Sequence, residues 1–112
     1  MSPTPTSDLI SPADLRARLA AGDDVQLVDV REDFEFDYCH LPGSRLIPLD
    51  ELPRRAAEIR ATGPVVLICH HGVRSAQALS YLRQLLGHQN LLNLRGGLHA
   101  WSREVDADFP RY

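Results

Sequence analysis

Apolar positions along the chain follow two rhythms. Residues 25–30 and 65–69 are short aliphatic, β-branched runs, and Val65-Val66-Leu67-Ile68-Cys69 is apolar throughout. A run of that kind suits a strand buried on both faces of a parallel sheet. Leu91, Leu92 and Leu94 predict a further strand. Between these runs, apolar residues recur at helical spacing. Leu15 and Leu19 lie one turn apart, Leu52, Ala56 and Ile59 form a second stripe, and Ala78, Leu79, Leu82, Leu85 and Leu86 a third. Ser11-Pro12-Ala13-Asp14 reads as an N-cap, a first-turn proline and an acidic first turn, while Gly22 and Gly87 are placed to end helices. Asp50 is placed to cap the second helix, and a short last helix is expected around Trp101, after Gly96-Gly97. Strands alternating with helices at this spacing predict an α/β domain with a small, mainly parallel sheet.

Composition narrows the chemistry. The chain has 112 residues and a net charge of −3, and its 12 cationic residues are all arginine. Without lysine there is no Schiff base, no lysine general base and no P-loop amine. A mildly acidic chain with scattered arginines is also a poor nucleic-acid binder. Two cysteines, Cys39 and Cys69, are too few for a disulfide framework. Residues 1–8, rich in Pro, Ser and Thr, are expected to form a flexible arm, with one domain over residues 9–112. The first arginine is Arg16 and no apolar run nears the roughly 18 residues of a membrane span. The expected setting is therefore cytoplasmic, with no membrane partner and both thiols free.

Two predicted strands end in reactive or charged groups, Asp29 and Cys69, and parallel α/β sheets bind ligands at strand carboxyl ends. Cys69 is followed by His70-His71-Gly72-Val73-Arg74 and then by a helix beginning near Ser75. A loop curling into a helix N-terminus can aim successive backbone N–H groups at one point, forming an anion nest. Gly72 supplies the unusual backbone angle such a curl requires. A sulfur at its centre is expected to be held as the thiolate by the helix terminus and by Arg74, and so to act as a nucleophile without a dedicated base.

The motifs resemble those of the rhodanese-like domain family. Leu27-Val28-Asp29-Val30-Arg31-Glu32, Glu35-Phe36 and His40-Leu41-Pro42-Gly43-Ser44 are similar to its N-terminal signature. Cys69-His70-His71-Gly72-Val73-Arg74-Ser75 resembles its active-site loop, and Gly96-Gly97-Leu98-His99-Ala100-Trp101 its C-terminal signature. The resemblance implies a small parallel sheet flanked by helices on both faces, and sulfurtransferase activity. Cys69 would carry sulfur as a persulfide between a donor such as thiosulfate and a thiol or cyanide acceptor, with no cofactor beyond that covalent intermediate. The N–H groups from His70 to Ser75 would hold the substrate and persulfide sulfur. A sulfur-relay protein is a further partner of this kind, and a partner-binding module of the same fold is the alternative function. The loop matches the shorter, sulfur-sized version, not the longer loop of related phosphatases and arsenate reductases.

Other residues have two readings each. Arg74 either holds the anionic donor or turns inward to pair with Asp29 or Glu32, and bracing is favoured. Asp29 and Arg31 are expected to be supporting ion-pair residues, with Glu32 beside them. His70 and His71 are expected to be partly cationic near neutral pH and solvated. Together with Cys39, His40 and Cys69 they match no standard ligand spacing, and a metal there would block the nucleophile, so no metal is assigned. Cys39 stands where the family commonly has glycine, and is read as a solitary thiol on a helix end. His40, Pro42, Gly43 and Trp101 are read as fold-setting, and Phe34, Phe36 and Tyr38 as packing residues.

Overall fold

A computed structural model describes residues 8–112. Five strands, β1 (Leu9–Ile10), β2 (Gln26–Asp29), β3 (Arg45–Leu46), β4 (Val65–Ile68) and β5 (Leu91–Leu94), form one sheet in the order β1-β5-β4-β2-β3. Every pairing is parallel. β4, the fully apolar run, is central, and β2 and β5 flank it in register, Asp29 opposite Ile68 and Leu67 opposite Asn93. The two-residue outer strands β1 and β3 were not anticipated, because so few residues carry no periodic signal.

Side chains alternate across the sheet, so consecutive strand residues belong to different cores. Val28, Val65, Leu67 and Leu91 pack under α3 (Leu52–Arg55) and α4 (Val73–Leu86), with Leu52, Ala78, Leu79 and Leu82. Leu27, Val66, Ile68 and Leu94 pack on the other face under α1 (Pro12–Ala20) and α5 (Gly97–Glu104), with Leu15, Leu98 and Trp101. Helices thus cover both faces. The Ser11 hydroxyl accepts from Asp14 N–H at 3.0 Å, so the capping signal is realised. Among the described residues, no helix is long and apolar enough to cross a membrane.

Three expectations change, and a fourth lies almost wholly outside the described residues. Asp50 caps nothing: the segment opens as a 3-10 turn over Leu49–Glu51, and Pro53 sits in the first turn of the short α3, although Leu52, Ala56 and Ile59 are buried as anticipated. Leu85 is 52% exposed, because the buried stripe of α4 follows Leu79, Leu82 and Leu86 and leaves its neighbour on the flank. Phe34 and Tyr38 lie on the solvent side of α2 (Asp33–Tyr38), while Phe36 stacks on His40 at 3.8 Å between ring centroids. The arm expected over residues 1–8 lies outside the described residues except for Asp8, which Arg83 holds with two hydrogen bonds of 2.7 and 3.0 Å.

One glycine fixes the relation between β4 and α5. Gly97, at φ +63°, opens α5 directly against the backbone that leaves β4, where a Cβ would collide with the carbonyl oxygens of Cys69 and His70. Gly63 has a similar φ of +77° but open space around it. Gly97→Ala is expected to cost about 2–4 kcal/mol in urea unfolding, against about 1–2 kcal/mol for Gly63→Ala, which carries only the backbone strain.

Candidate functional site

The strong cue in the sequence was a cysteine at the end of the central strand, and the fold places it at the carboxyl edge of the sheet. Cys69 immediately follows β4 and is 1% exposed. The chain then turns through His70 and His71 to Gly72, which has φ +96° and forms the N-cap of α4. That turn brings two backbone donors to the sulfur: Gly72 N–H at 3.0 Å and Ser75 N–H at 3.3 Å from Sγ. Since α4 begins at Val73, Ser75 stands in its first turn, where N–H groups have no intrahelical acceptor. Sγ takes that place.

The hydroxyl of Ser75 lies 3.2 Å from Sγ and donates to Asn93 Oδ1 at 2.5 Å. Asn93 in turn donates from Nδ2 to the Gly72 carbonyl at 3.1 Å. With its proton directed to Asn93, the Ser75 oxygen presents a lone pair to a thiol. Facing a thiolate, the same hydroxyl can rotate and donate to sulfur. Asn93 was not singled out from the sequence, yet a lone amide inside the run Leu91-Leu92-Asn93-Leu94 was the available signal: a buried polar side chain needs partners. The outer side of the loop is held as well. Leu98 N–H donates to the Cys69 carbonyl and His99 N–H to the His70 carbonyl, each at 2.9 Å. Free N–H groups at the start of α5 thus take up carbonyls that the curl would otherwise leave unpaired.

Behind the loop runs a chain of charged groups. Arg74 grips Glu35 with both guanidinium arms, at 2.7 and 3.0 Å. The bracing orientation is therefore present, but its partner is neither Asp29 nor Glu32. Asp29 is occupied by Arg31, which bonds it through Nε at 2.9 and 3.1 Å and through Nη2 at 2.7 Å. Glu32 forms the N-cap of α2, and its backbone N–H donates to Glu35 Oε1 at 3.1 Å. Tyr112 joins the two pairs: its hydroxyl accepts from Arg31 Nη1 at 2.7 Å and donates to Glu35 Oε2 at 2.9 Å. Burial disfavours charge on Arg31, but the hydrogen bonds it donates to Asp29 and Tyr112 outweigh that and raise its pKa. Burial, above all, pushes the Tyr112 phenol up to about 12, so it stays a donor. Glu35 enters the sequence analysis only within a motif and Tyr112 not at all, since the Arg74 that Glu35 pairs with lies 39 positions away and the hydrogen-bond partners of Tyr112 lie 77 and 81 away.

The two cysteines part company. Cys69 packs in the core beneath α3 and α4, whereas Cys39, the C-cap of α2, is buried in the core on the opposite face, and its carbonyl accepts from Arg31 Nη2 at 2.6 Å. Both are free thiols. At the rim, His70 stacks on the Tyr112 ring at 3.9 Å and 9°, His71 and Val73 are exposed, and His99 approaches from α5. Burial and the neighbouring His71 lower the His70 pKa, which corrects the expectation of a partly cationic, solvated imidazole there.

The Arg74 bonds, working against burial, hold the Glu35 carboxyl down to about 2. A carboxylate whose folded pKa is depressed contributes stability that is fully present above its unfolded value, near 4.3, and is lost as pH falls toward 2. With the Glu35 side chain only 8% exposed, this contribution is on the order of 2–3 kcal/mol. Glu35→Gln should therefore be less stable by about that amount in urea unfolding at pH 7, and the difference should shrink through pH 4 and close near pH 2.

Comparison with known proteins agrees with this architecture. The family model described as Rhodanese-like domain matches residues 11–104. The chain is 43% identical over 89 residues to a protein named sulfurtransferase from Allochromatium vinosum, covering 80% of this chain and 82% of that one. It is also 43% identical over 95 residues to the adenylyltransferase and sulfurtransferase MOCS3 of Aedes aegypti, covering 77% of this chain but only 22% of that protein's length. Among solved structures, the human single-domain sulfurtransferase TSTD1 superposes with a TM-score of 0.76 at 27% identity, covering 87% of this chain and 96% of that one. By its matched sequence and its parallel five-stranded sheet, the chain belongs to the rhodanese-like domain family.

Proposed function

We propose that this chain is a sulfurtransferase that moves a sulfane sulfur from a donor such as thiosulfate to a thiol or cyanide acceptor through a persulfide on Cys69. The observation that carries the reading is the pair of backbone donors, Gly72 N–H and Ser75 N–H, both within 3.3 Å of Sγ in a loop at the end of the central strand. Relatives named as sulfurtransferases support the reaction class.

In the first half-reaction the Cys69 thiolate attacks the outer sulfur of thiosulfate. A new S–S bond forms, the old one breaks, and sulfite leaves with the bonding electron pair. The persulfide is anionic on its terminal sulfur, so it needs the donors the loop supplies. In the second half-reaction an acceptor thiolate or cyanide attacks that terminal sulfur, and the electron pair of the breaking bond returns to Cys69. A ping-pong pattern follows from the covalent intermediate. The Ser75 hydroxyl, free to turn between Asn93 and sulfur, matches a group whose charge changes during the cycle. Arg74 acts through the loop, since both guanidinium arms are taken by Glu35.

A relay role, in which the acceptor is a protein thiol, is favoured by one observation. The Aedes aegypti relative is named for adenylyltransferase and sulfurtransferase activities, and the stretch similar to this chain is 22% of its length. A relay predicts slow turnover with cyanide and fast discharge to a protein persulfide acceptor.

Intact-mass measurement after mixing with thiosulfate should show one added sulfur atom, lost on adding cyanide and absent from Cys69→Ser. If intact Cys69 gains no sulfur from thiosulfate, mercaptopyruvate, glutathione persulfide or a cysteine desulfurase, the proposal fails. Ser75→Ala is expected to lower kcat by about tenfold or more while leaving the fold intact. Arg74→Ala should lower kcat/KM alike for thiosulfate and for glutathione persulfide, because a bracing residue weakens every donor equally, whereas a donor-binding residue would raise the thiosulfate KM selectively.

A further inference from the structure

Beside the sulfur loop stands a group of three imidazoles that the sulfur chemistry does not use. His70 and His71 follow Cys69 in the loop, and His99 projects from the first turn of α5. One ligand nitrogen from each lies within 4.8 Å of the other two. Their ring centroids are 4.1 Å apart for His70 and His71, 4.9 Å for His71 and His99, and 6.1 Å for His70 and His99. We propose that His70, His71 and His99 form a binding site for a divalent transition-metal ion, Zn²⁺ by their chemistry.

Several features point the same way. Among the described residues, no ring nitrogen of these three histidines is taken up by a protein hydrogen bond, in contrast to His40, whose Nδ1 is 2.8 Å from the Phe36 carbonyl. The nitrogens are therefore open to a ligand. Two of the three are anchored: His99 N–H donates to the His70 carbonyl at 2.9 Å, and the His70 ring is held by stacking on Tyr112. His71 is exposed and its ring can swing. Tetrahedral coordination with Zn–N bonds of about 2.0–2.1 Å sets nitrogens about 3.3–3.4 Å apart, a closure within reach of side-chain rotation.

Neutral imidazoles suit Zn²⁺, Cu²⁺ and Ni²⁺ better than Mg²⁺ or Ca²⁺. Three protein ligands leave a fourth position open, as in sites where zinc binds a small molecule. This set differs from the combination with Cys39, His40 and Cys69 that the spacing argued against. It includes His99, which only the fold brings to the loop, and it leaves Sγ outside the ligand set. The proposal stands whether or not Cys69 carries sulfur.

The test is Zn²⁺ binding to tag-free protein at pH 7.5 in competition with a chromophoric chelator, with Co²⁺ absorption as the reporter of coordination. One ion per chain is expected, with tetrahedral cobalt bands that lack thiolate charge transfer. Cys69→Ser should bind unchanged, and His88→Ala should serve as a histidine control. His71→Ala and His99→Ala should each weaken binding by about 100-fold or more, because even outer-sphere partners of metal ligands are worth about 10- to 100-fold. His71 is exposed, so its variant tests the site without disturbing the fold. Absence of saturable binding, binding untouched by His71→Ala, or binding abolished by Cys69→Ser would each overturn the assignment.

Discussion

The site rests on a guanidinium sealed away from water. Arg31 is fully buried and cannot lose its charge, so its desolvation must be met by ligands on every side. Asp29 at the end of β2, the Cys39 carbonyl at the end of α2 and the Tyr112 hydroxyl meet it. Each of these partners comes from a different part of the chain, so one residue fixes the relative positions of a strand end, a helix end and the last residue. Tyr112 then passes the constraint on, through Glu35, to Arg74 in the first turn of α4. The sulfur loop inherits its position from a cation that never touches the sulfur.

On the proposed reading, that arrangement explains how an arginine-only chain holds an anionic persulfide. Arg74 adjoins the loop, yet its fork is matched to a carboxylate, bidentate and directional, and serves as a brace. The stabilising groups at sulfur are backbone dipoles from Gly72 and Ser75. Such donors carry no net charge and cannot leave with a product, and their aim is set by the fold before any substrate arrives. Lysine is dispensable for the same reason: the positive potential is built from peptide units.

What was legible in the sequence follows the range of the interaction. The strands β2, β4 and β5, the helices α1 and α4, the Gly72 curl and the strand-end position of Cys69 are written in local periodicity and in turn chemistry. Ser11 caps α1 as its spacing announces. The errors fall where a residue's partner is remote. Arg74 is assigned from sequence to Asp29 or Glu32, which are no nearer to it along the chain than Glu35, because nothing in the sequence reveals that Arg31 already saturates Asp29. His70 was read as solvated because the stacking ring, Tyr112, is 42 positions away. Phe34, expected from its composition to pack, stands in solvent because α2 is too short to bury more than one side, whereas the exposed Tyr38 still packs edge-on against Tyr112 at 6.0 Å. Asn93 marks the intermediate case: its polarity in an apolar strand was visible, but its partners were not.

The same distinction separates the two chemistries at the sheet edge. Cys69 belongs to the core under α4 and is 1% exposed, while His71 and Val73 of the same loop stand in solvent. A buried thiol is a poor target for bulky reagents, but a persulfide adds one atom beyond Sγ and carries the reacting centre outward. On the proposed reading, Gly72 N–H, Ser75 N–H and the Ser75 hydroxyl hold Sγ while the outer sulfur extends beyond them. Among the described residues the imidazoles make no hydrogen bond to Sγ, and their backbone is tied to α5 by the His99–His70 bond. Metal occupancy and sulfur loading therefore depend on different residues, His71 and His99 for one and Gly72 and Ser75 for the other, and can be varied independently.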